Sequence, residues 1–180
     1  MGIDLKKMRA KMSALENKGG KNIFWRPEDG ETTIRLVPTA DGDPFKEYWF
    51  HYNVGNNPGF LSPKKNFNEE DPLDDLIRQL YREGGEDNTQ LAKKLGARQR
   101  FFTPVIVRGQ EDLGVKIWGY GKMAYKELLS LVLNPDYGDI TDPSEGTDLV
   151  INYGKPVGAQ FPQTSIPPRR KTSPLSKDEN

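Results

Sequence analysis

Short extended segments, separated by turn-forming residues, constrain the fold of this chain more than any other feature. Alternating or aromatic-rich runs of this kind are typical of β-strands. The chain's 14 prolines and 18 glycines indicate many turns and argue against an all-helical bundle. We therefore predict strands at residues 23–25, 32–38, 45–52, 101–108, 115–120 and 148–153.

Helical patterns interrupt these strands at two places. Asp71 and Pro72 have the residue types of an N-cap and a first helical position, and the helix is expected to stop near Gly84. A second short helix is predicted at 89–95, so residues 68–96 form a helical insertion. A third helix is predicted at 122–133. The result is a mainly β (α+β) chain of five or six strands, arranged as an oligonucleotide-binding (OB) barrel. An open antiparallel sheet with helices on one side fits almost as well.

The charge distribution indicates three regions in the 180-residue chain. The net charge is zero, but acidic residues dominate 134–148 and basic residues dominate the start, so a basic face can lie opposite an acidic one. Residues 1–20 are predicted to be a basic arm containing a short amphipathic helix at 3–16. Residues 21–160 are expected to form the core, and residues 161–180 a weakly ordered linker. The basic side chains of the arm helix are Lys6, Lys7, Arg9 and Lys11.

The composition argues against catalysis and against a membrane location. The chain has no cysteine and one histidine, and it lacks Ser-His-Asp spacing and glycine-rich phosphate-binding motifs. A metal site built from His51, Asp71 and Asp74 is conceivable, but one nitrogen among hard oxygens suits zinc poorly. A surface histidine and capping aspartates are the preferred interpretation. No apolar run approaches membrane-spanning length, so we expect a cytoplasmic protein that is not an enzyme.

Residues 98–125 interleave basic and aromatic side chains on two predicted strands, as single-stranded nucleic acid requires. Alternation places Arg100 and Phe102 on one face and Phe101 on the other. About half of the rings are expected to be exposed, with Trp118 the best single candidate. Residues 45–52 also have two bulky faces, of which one needs a cover or a ligand. The candidate contacts in this stretch are Arg98, Arg100, Phe101, Phe102, Lys116, Trp118, Tyr120 and Lys122.

Four segments in a fixed order resemble the single-stranded-DNA-binding, helix-destabilising proteins of T-even-like bacteriophages. They are TTIRLVP followed by PFKEYWFH, then RQRFFTPVIV, then VKIWGYGKMAYKELL running into NPDYGDITDPSEGTDLVINY. The resemblance extends from the basic arm to about residue 153. It implies an OB-type core that binds single-stranded DNA cooperatively, without sequence preference and without catalysis. DNA-facing positions of the family fall on Arg35, Arg98, Phe101, Phe102, Trp118 and Lys122.

The same resemblance implies partners and one departure. The arm would contact the neighbouring protomer, and an acidic C-terminal tail, expected to be missing after SKDEN, would recruit phage replication proteins in the infected bacterial host's cytoplasm. His51 matches the histidine of the family's structural zinc, whereas Asp71 and Asp74 stand where cysteines would be. We therefore expect no zinc and no other cofactor, with the insertion held by apolar burial alone. The alternative function is a non-catalytic scaffold whose aromatic patch binds protein.

Overall fold

The computed structural model describes residues 23–176, which form nine strands and four helices in this part of the chain. The strands are β1 Phe24–Trp25, β2 Gly30–Leu36, β3 Lys46–Val54, β4 Asn57–Leu61, β5 Arg98–Val107, β6 Lys116–Tyr120, β7 Thr147–Gly154, β8 Gln163–Ser165 and β9 Pro168–Thr172. The helices are α1 Pro63–Phe67, α2 Pro72–Glu83, α3 Glu86–Leu95 and α4 Lys122–Val132. The predicted class, mainly β with a helical insertion, is confirmed. The predicted number of five or six strands is wrong, because the short strands β4, β8 and β9 pair into the sheet as well.

Strand β5 is the centre of the sheet. One edge pairs with β3 along Arg98–Phe102 and then with β2 along Val105–Val107. The other edge pairs with β6, which carries the short parallel strand β1. Strand β2 also pairs with β7, and β7 in turn pairs with β8 and β9. Among residues 23–176 no strand pairing joins the two ends of this ladder, so the sheet is open in its hydrogen bonding and the barrel stays a prediction.

One face of the sheet is packed against α4 and two connecting segments. Alternation along β5 sends Phe101, Val105 and Val107 into this core, and each is at most 2% exposed. The ring of Phe101 stacks on Tyr125 of α4 with centroids 3.9 Å apart. Burying one large apolar side chain contributes about 1.5–3 kcal/mol, so this layer is the main source of stability. The remaining buried members include Ile34, Leu36, Trp118, Tyr120, Leu128, Ile140, Leu149, Ile151 and Ile166.

The helical insertion begins as predicted, and two elements that the sequence did not indicate precede it. The side chain of Asp71 accepts hydrogen bonds from the backbone N–H groups of Leu73 and Asp74, so α2 has the expected N-cap. Strand β4 and helix α1 occupy a stretch in which neither a strand nor a helix was predicted. Pro58 is tolerated in β4 because this strand pairs only with β3 and is therefore an edge strand.

The prediction of a weakly ordered linker from residue 161 is wrong for most of that segment. Strands β8 and β9 both pair with β7. Beyond β9, Arg108 donates hydrogen bonds to the carbonyls of Pro174 and Leu175, at 2.7 and 3.1 Å, while its guanidinium also pairs with Asp148. A charged group that is mostly buried therefore holds this segment onto the core.

Some predictions concern residues that the structure does not describe. The arm helix and its basic residues Lys6, Lys7, Arg9 and Lys11 lie outside residues 23–176, as does the end of the chain from residue 177. Across the described part of the chain, none of the helices is long and apolar enough to cross a membrane.

Candidate nucleic-acid interface

The face of the sheet opposite the core carries a set of aromatic and basic side chains on β3 and β5. Cross-strand pairing aligns Tyr48 with Arg100 and Phe50 with Arg98, and directly paired residues point to the same side. Phe102 lies on that side of β5, and Phe24 of β1 contacts it. We call this set the outer face; its members are Phe24, Tyr48, Phe50, Tyr52, Arg98, Arg100 and Phe102.

The rings of the outer face form a continuous row. From Tyr52 the row passes to Phe50 at 5.9 Å between centroids, then to Phe102 at 5.9 Å, then to Phe24 at 6.2 Å. Tyr48 joins from the side, 6.0 Å from Phe102. Phe24 is 53% exposed and Tyr48 is 40% exposed, so core packing does not account for them. Several large rings side by side on a solvent-facing sheet are an exposed apolar patch of the kind that marks a binding surface.

A groove of about 1040 Å³ adjoins the outer face. Its lining includes Tyr52, Arg98 and Arg100 from the outer face, and Tyr153 of β7 stands among the other lining residues. Among the lining residues within 23–176, four are basic and none is acidic; the basic ones are Arg26, Arg98, Arg100 and Lys122. A concave site with cations and no carboxylate favours an anionic ligand.

The groove's cations are not engaged by carboxylates. None of these four residues forms a salt bridge with an acidic side chain of residues 23–176. Arg100 makes one long hydrogen bond, 3.4 Å to the carbonyl of Gly119. By contrast, Lys46 lies between Asp41 and Asp43, and Arg78 pairs with Asp74. The groove therefore gathers four cations that no carboxylate of the described residues neutralises.

Three predicted contacts pack in the core, although two of them, Trp118 and Tyr120, also border the groove. Phe101, Trp118 and Tyr120 are 2%, 1% and 4% exposed, so the choice of Trp118 as the best exposed ring is wrong. The reason is register, since Trp118 pairs with Thr103 and Tyr120 with Phe101, both on the inner face of β5. The hydroxyls of Tyr120 and Thr103 are 2.5 Å apart, and burial raises the pKa of Tyr120. Lys116 begins the same strand and is half-buried.

Arg35, another predicted contact, is also buried, with 0% exposure. Its guanidinium donates hydrogen bonds to the carbonyl of Ile140, at 2.9 Å, and to that of Asp142. Burial lowers the pKa of Arg35, while the carboxylate of Asp148 opposes this effect. The expectation of a solvent-facing Arg35 failed because a loop more than 100 residues later in the chain covers it. As placed, this side chain anchors that loop and does not face the outer surface.

We expect Arg35→Met to reduce stability without a specific loss of ligand binding. Removing the guanidinium takes one hydrogen bond from each of two carbonyls, which keep backbone N–H donors from Thr147 and Gly146. A hydrogen bond to a charged group is worth about 1.5–3 kcal/mol. Urea unfolding measures the loss, and binding assays well below the unfolding midpoint measure affinity. Loss of binding in a variant of unchanged stability would contradict this structural role.

His51 is buried and hydrogen-bonded, so the interpretation of a surface histidine is wrong. Its Nδ1 donates to the carbonyl of Leu95 at 2.8 Å, and its Nε2 is 3.1 Å from Oδ2 of Asp71. Ser62 donates to the same carboxylate oxygen at 2.7 Å. This polar network ties β3 to α2 and α3. Only Leu80 and Ala92 of those helices are fully buried, so apolar burial alone does not hold the insertion.

The network does not form a metal centre in the described residues. Asp74 points to Arg78, and residues 23–176 contain no group of three or more His, Cys, Asp or Glu side chains positioned to hold a metal ion. Ser62 bonds to Asp71 and not to His51, so a nucleophilic serine is not assembled there. The absence of a cofactor stays a prediction.

The sequence missed several members of this surface. Phe24, Arg26 and Tyr153 were not candidates, and the rings of β3 were recognised only as a face that needs a cover or a ligand. Pairing the aromatic face of the third predicted strand with the Arg100 and Phe102 face of the fourth would have found the rings of β3 but not the other three residues.

Comparisons with known proteins leave this surface as the basis for interpretation. No protein-family model matches the chain, and a search of curated proteins returns no match.

Proposed function

We propose that this chain is a nucleic-acid-binding protein that holds single strands on the outer face and in the adjoining groove. The observation that supports this most is a row of rings beside a groove whose four cations form no salt bridge with any carboxylate of residues 23–176. Rings offer flat surfaces for unstacked bases, each worth about 1–3 kcal/mol, and the cations attract phosphates. The first backbone N–H groups of α4 favour a phosphate as well. Gly121 at the N-cap has no side chain to accept their hydrogen bonds, and the N-terminus of a helix carries partial positive charge.

The spacing of the rings supports a single strand over a duplex. Neighbouring centroids in the row are 5.9–6.2 Å apart. Successive nucleotides of a duplex strand rise by only about 3.4 Å, so bases that stack on neighbouring rings must be separated from each other. A paired, stacked duplex does not meet this requirement.

The narrower proposal is a phage protein that coats single-stranded DNA. It includes an OB-type core, sequence-independent and cooperative binding, and a role in replication, recombination and repair without catalysis or zinc. The resemblance in order of the four segments supports it, together with the position of Arg98, Phe102 and Lys122 at the outer face and groove. Self-association through the basic arm and recruitment of replication proteins by a C-terminal tail belong to the same proposal.

A scaffold protein is the second candidate, because exposed rings also suit a protein partner. Phe24 and Tyr48 are the exposed aromatics of the row, and aromatic residues are enriched in protein interfaces. The two candidates differ in their dependence on salt, since only binding to phosphates releases condensed counterions.

A salt series of oligothymidine titrations tests the proposal. We expect affinity to fall steeply with salt, and the double variant Arg98→Ala/Arg100→Ala to reduce the log–log slope by roughly 1.4, or 0.7 for each lost phosphate contact on a single strand. Fluorescence anisotropy of a labelled oligothymidine measures both quantities.

The matched control for this series is Lys93→Ala/Lys94→Ala, which removes two exposed cations from α3 and should leave the slope unchanged. Absence of salt-sensitive binding by the unmodified protein would rule out the nucleic-acid function and favour the scaffold.

A further inference from the structure

We propose that Gly59 and Gly119 are positioning residues that hold two rings of the outer face flat against the sheet. This inference rests on the proposed function, because it concerns how the rings are presented to bases. Gly59 is the cross-strand partner of Tyr52, and Gly119 is the cross-strand partner of Phe102.

In both pairs the ring occupies the space that a side chain would take. A Cβ added to Gly119 would lie 3.0 Å from a ring carbon of Phe102, and one added to Gly59 would lie 2.9 Å from two ring carbons of Tyr52. Carbon atoms in favourable contact are about 3.5–4.0 Å apart, so a methyl group at Gly59 requires the ring of Tyr52 to move, and one at Gly119 requires the ring of Phe102 to shift by a few tenths of an ångström. Each ring therefore lies directly over the backbone of its glycine.

Backbone conformation does not explain these glycines. Neither has a positive φ, unlike Gly109 and Gly114 in the turn before β6. A glycine inside a strand weakens the strand, because it loses more conformational freedom on folding and packs no side chain. Close approach of the ring is the remaining physical reason for glycine at both sites.

The arrangement has a consequence for binding. A ring that lies across a glycine is supported on one side by the sheet and turns the opposite side outward, which is the orientation that a base needs for stacking. Phe102 is the centre of the row, in contact with Phe24, Tyr48 and Phe50. Alanine at 119 would tilt Phe102 away from the sheet and disturb all three contacts.

A double-mutant cycle on oligothymidine affinity tests this role. We expect Gly119→Ala to weaken binding about fivefold or more, with an unchanged salt slope, because a stacking contact is disturbed and no charge is removed. In the Phe102→Ala background the same glycine substitution should have little further effect. Gly59→Ala should behave in the same way with Tyr52→Ala.

The control is Gly154→Ala in β7, a strand glycine whose added Cβ would meet nothing within 4 Å. Binding by the unmodified protein and by this control is expected to be equal. Equal affinity of Gly119→Ala, or equal losses with and without Phe102, would overturn the positioning role even if the protein binds DNA. Absence of binding by the unmodified protein would instead remove the proposed function itself.

Discussion

Replacing Asp71 with alanine is expected to lower the free energy of unfolding by about 3–5 kcal/mol. It leaves the buried groups of His51 and Ser62 without their hydrogen-bond partner, at about 1–3 kcal/mol each, and removes an N-cap worth about 1 kcal/mol. Asp71 is 4% exposed, caps α2, and accepts hydrogen bonds from His51 and Ser62. The variant leaves the ring of His51 buried beside an empty site, and it removes the N-cap as well. Urea unfolding followed by circular dichroism measures the effect.

The control for this variant is Asp75→Ala, one turn into the same helix. The side chain of Asp75 is 73% exposed and lies 3.7 Å from Arg78, and exposed pairs of this kind are worth about 0–1 kcal/mol. Equal stability of the two variants would mean that the network does not hold the insertion.

The same carboxylate gives stability a dependence on pH. Burial raises the pKa of Asp71, but hydrogen bonds from Ser62 and His51 outweigh burial and hold the pKa below its ordinary value. The stabilisation is therefore complete above the unfolded value of about 3.9 and is lost as pH falls through the lower folded pKa. The Asp71→Asn variant has no carboxylate to protonate at this position, so its stability should fall less in acid than that of the unmodified protein.

Removing three rings of the outer face together should reduce affinity for oligothymidine more than 100-fold. In the variant Tyr48→Ala/Phe50→Ala/Phe102→Ala each lost stacking contact costs about 1–3 kcal/mol. The salt slope should stay unchanged, because the rings carry no charge. These side chains lie on the face opposite the core, so thermal unfolding should show that the variant still folds cooperatively.

A variant with the same number of exposed apolar side chains removed serves as the control. Phe67→Ala/Tyr81→Ala/Leu91→Ala changes residues of α1, α2 and α3, in and next to the helical insertion, that are 55%, 50% and 43% exposed. Its affinity should match that of the unmodified protein. If the control loses as much affinity as the ring variant, the site lies on the insertion and not on the outer face.

Local signals in the sequence predicted the elements that depend on neighbouring residues. The Asp71-Pro72 start of α2 and the Asn134-Pro135 stop after α4 follow from capping and from the missing N–H of proline. Strands β8 and β9 were missed because their pairing with β7 depends on contacts distant in the chain. The hydrogen bond from Arg108 to Leu175, 67 residues apart, has no local signature.

The candidate site could be predicted only in part for a related reason. Alternation correctly separated Phe101 from Phe102, and it correctly grouped Trp118 with Tyr120. It could not say which face of β6 packs on α4, so Trp118 was placed on the wrong side. Arg35 was misassigned in the same way, since only the folded chain brings Ile140 and Asp142 over it.

Photo-crosslinking of an oligothymidine that contains 5-iodouracil, followed by mass spectrometry, tests most directly whether the outer face is the binding site. Iodouracil crosslinks preferentially to aromatic side chains that stack on it. We predict crosslinks at Tyr48, Phe50, Tyr52, Phe102 or Phe24, and their loss at high salt. Crosslinks confined to residues 63–95 or 163–172, or none at all, would contradict the account.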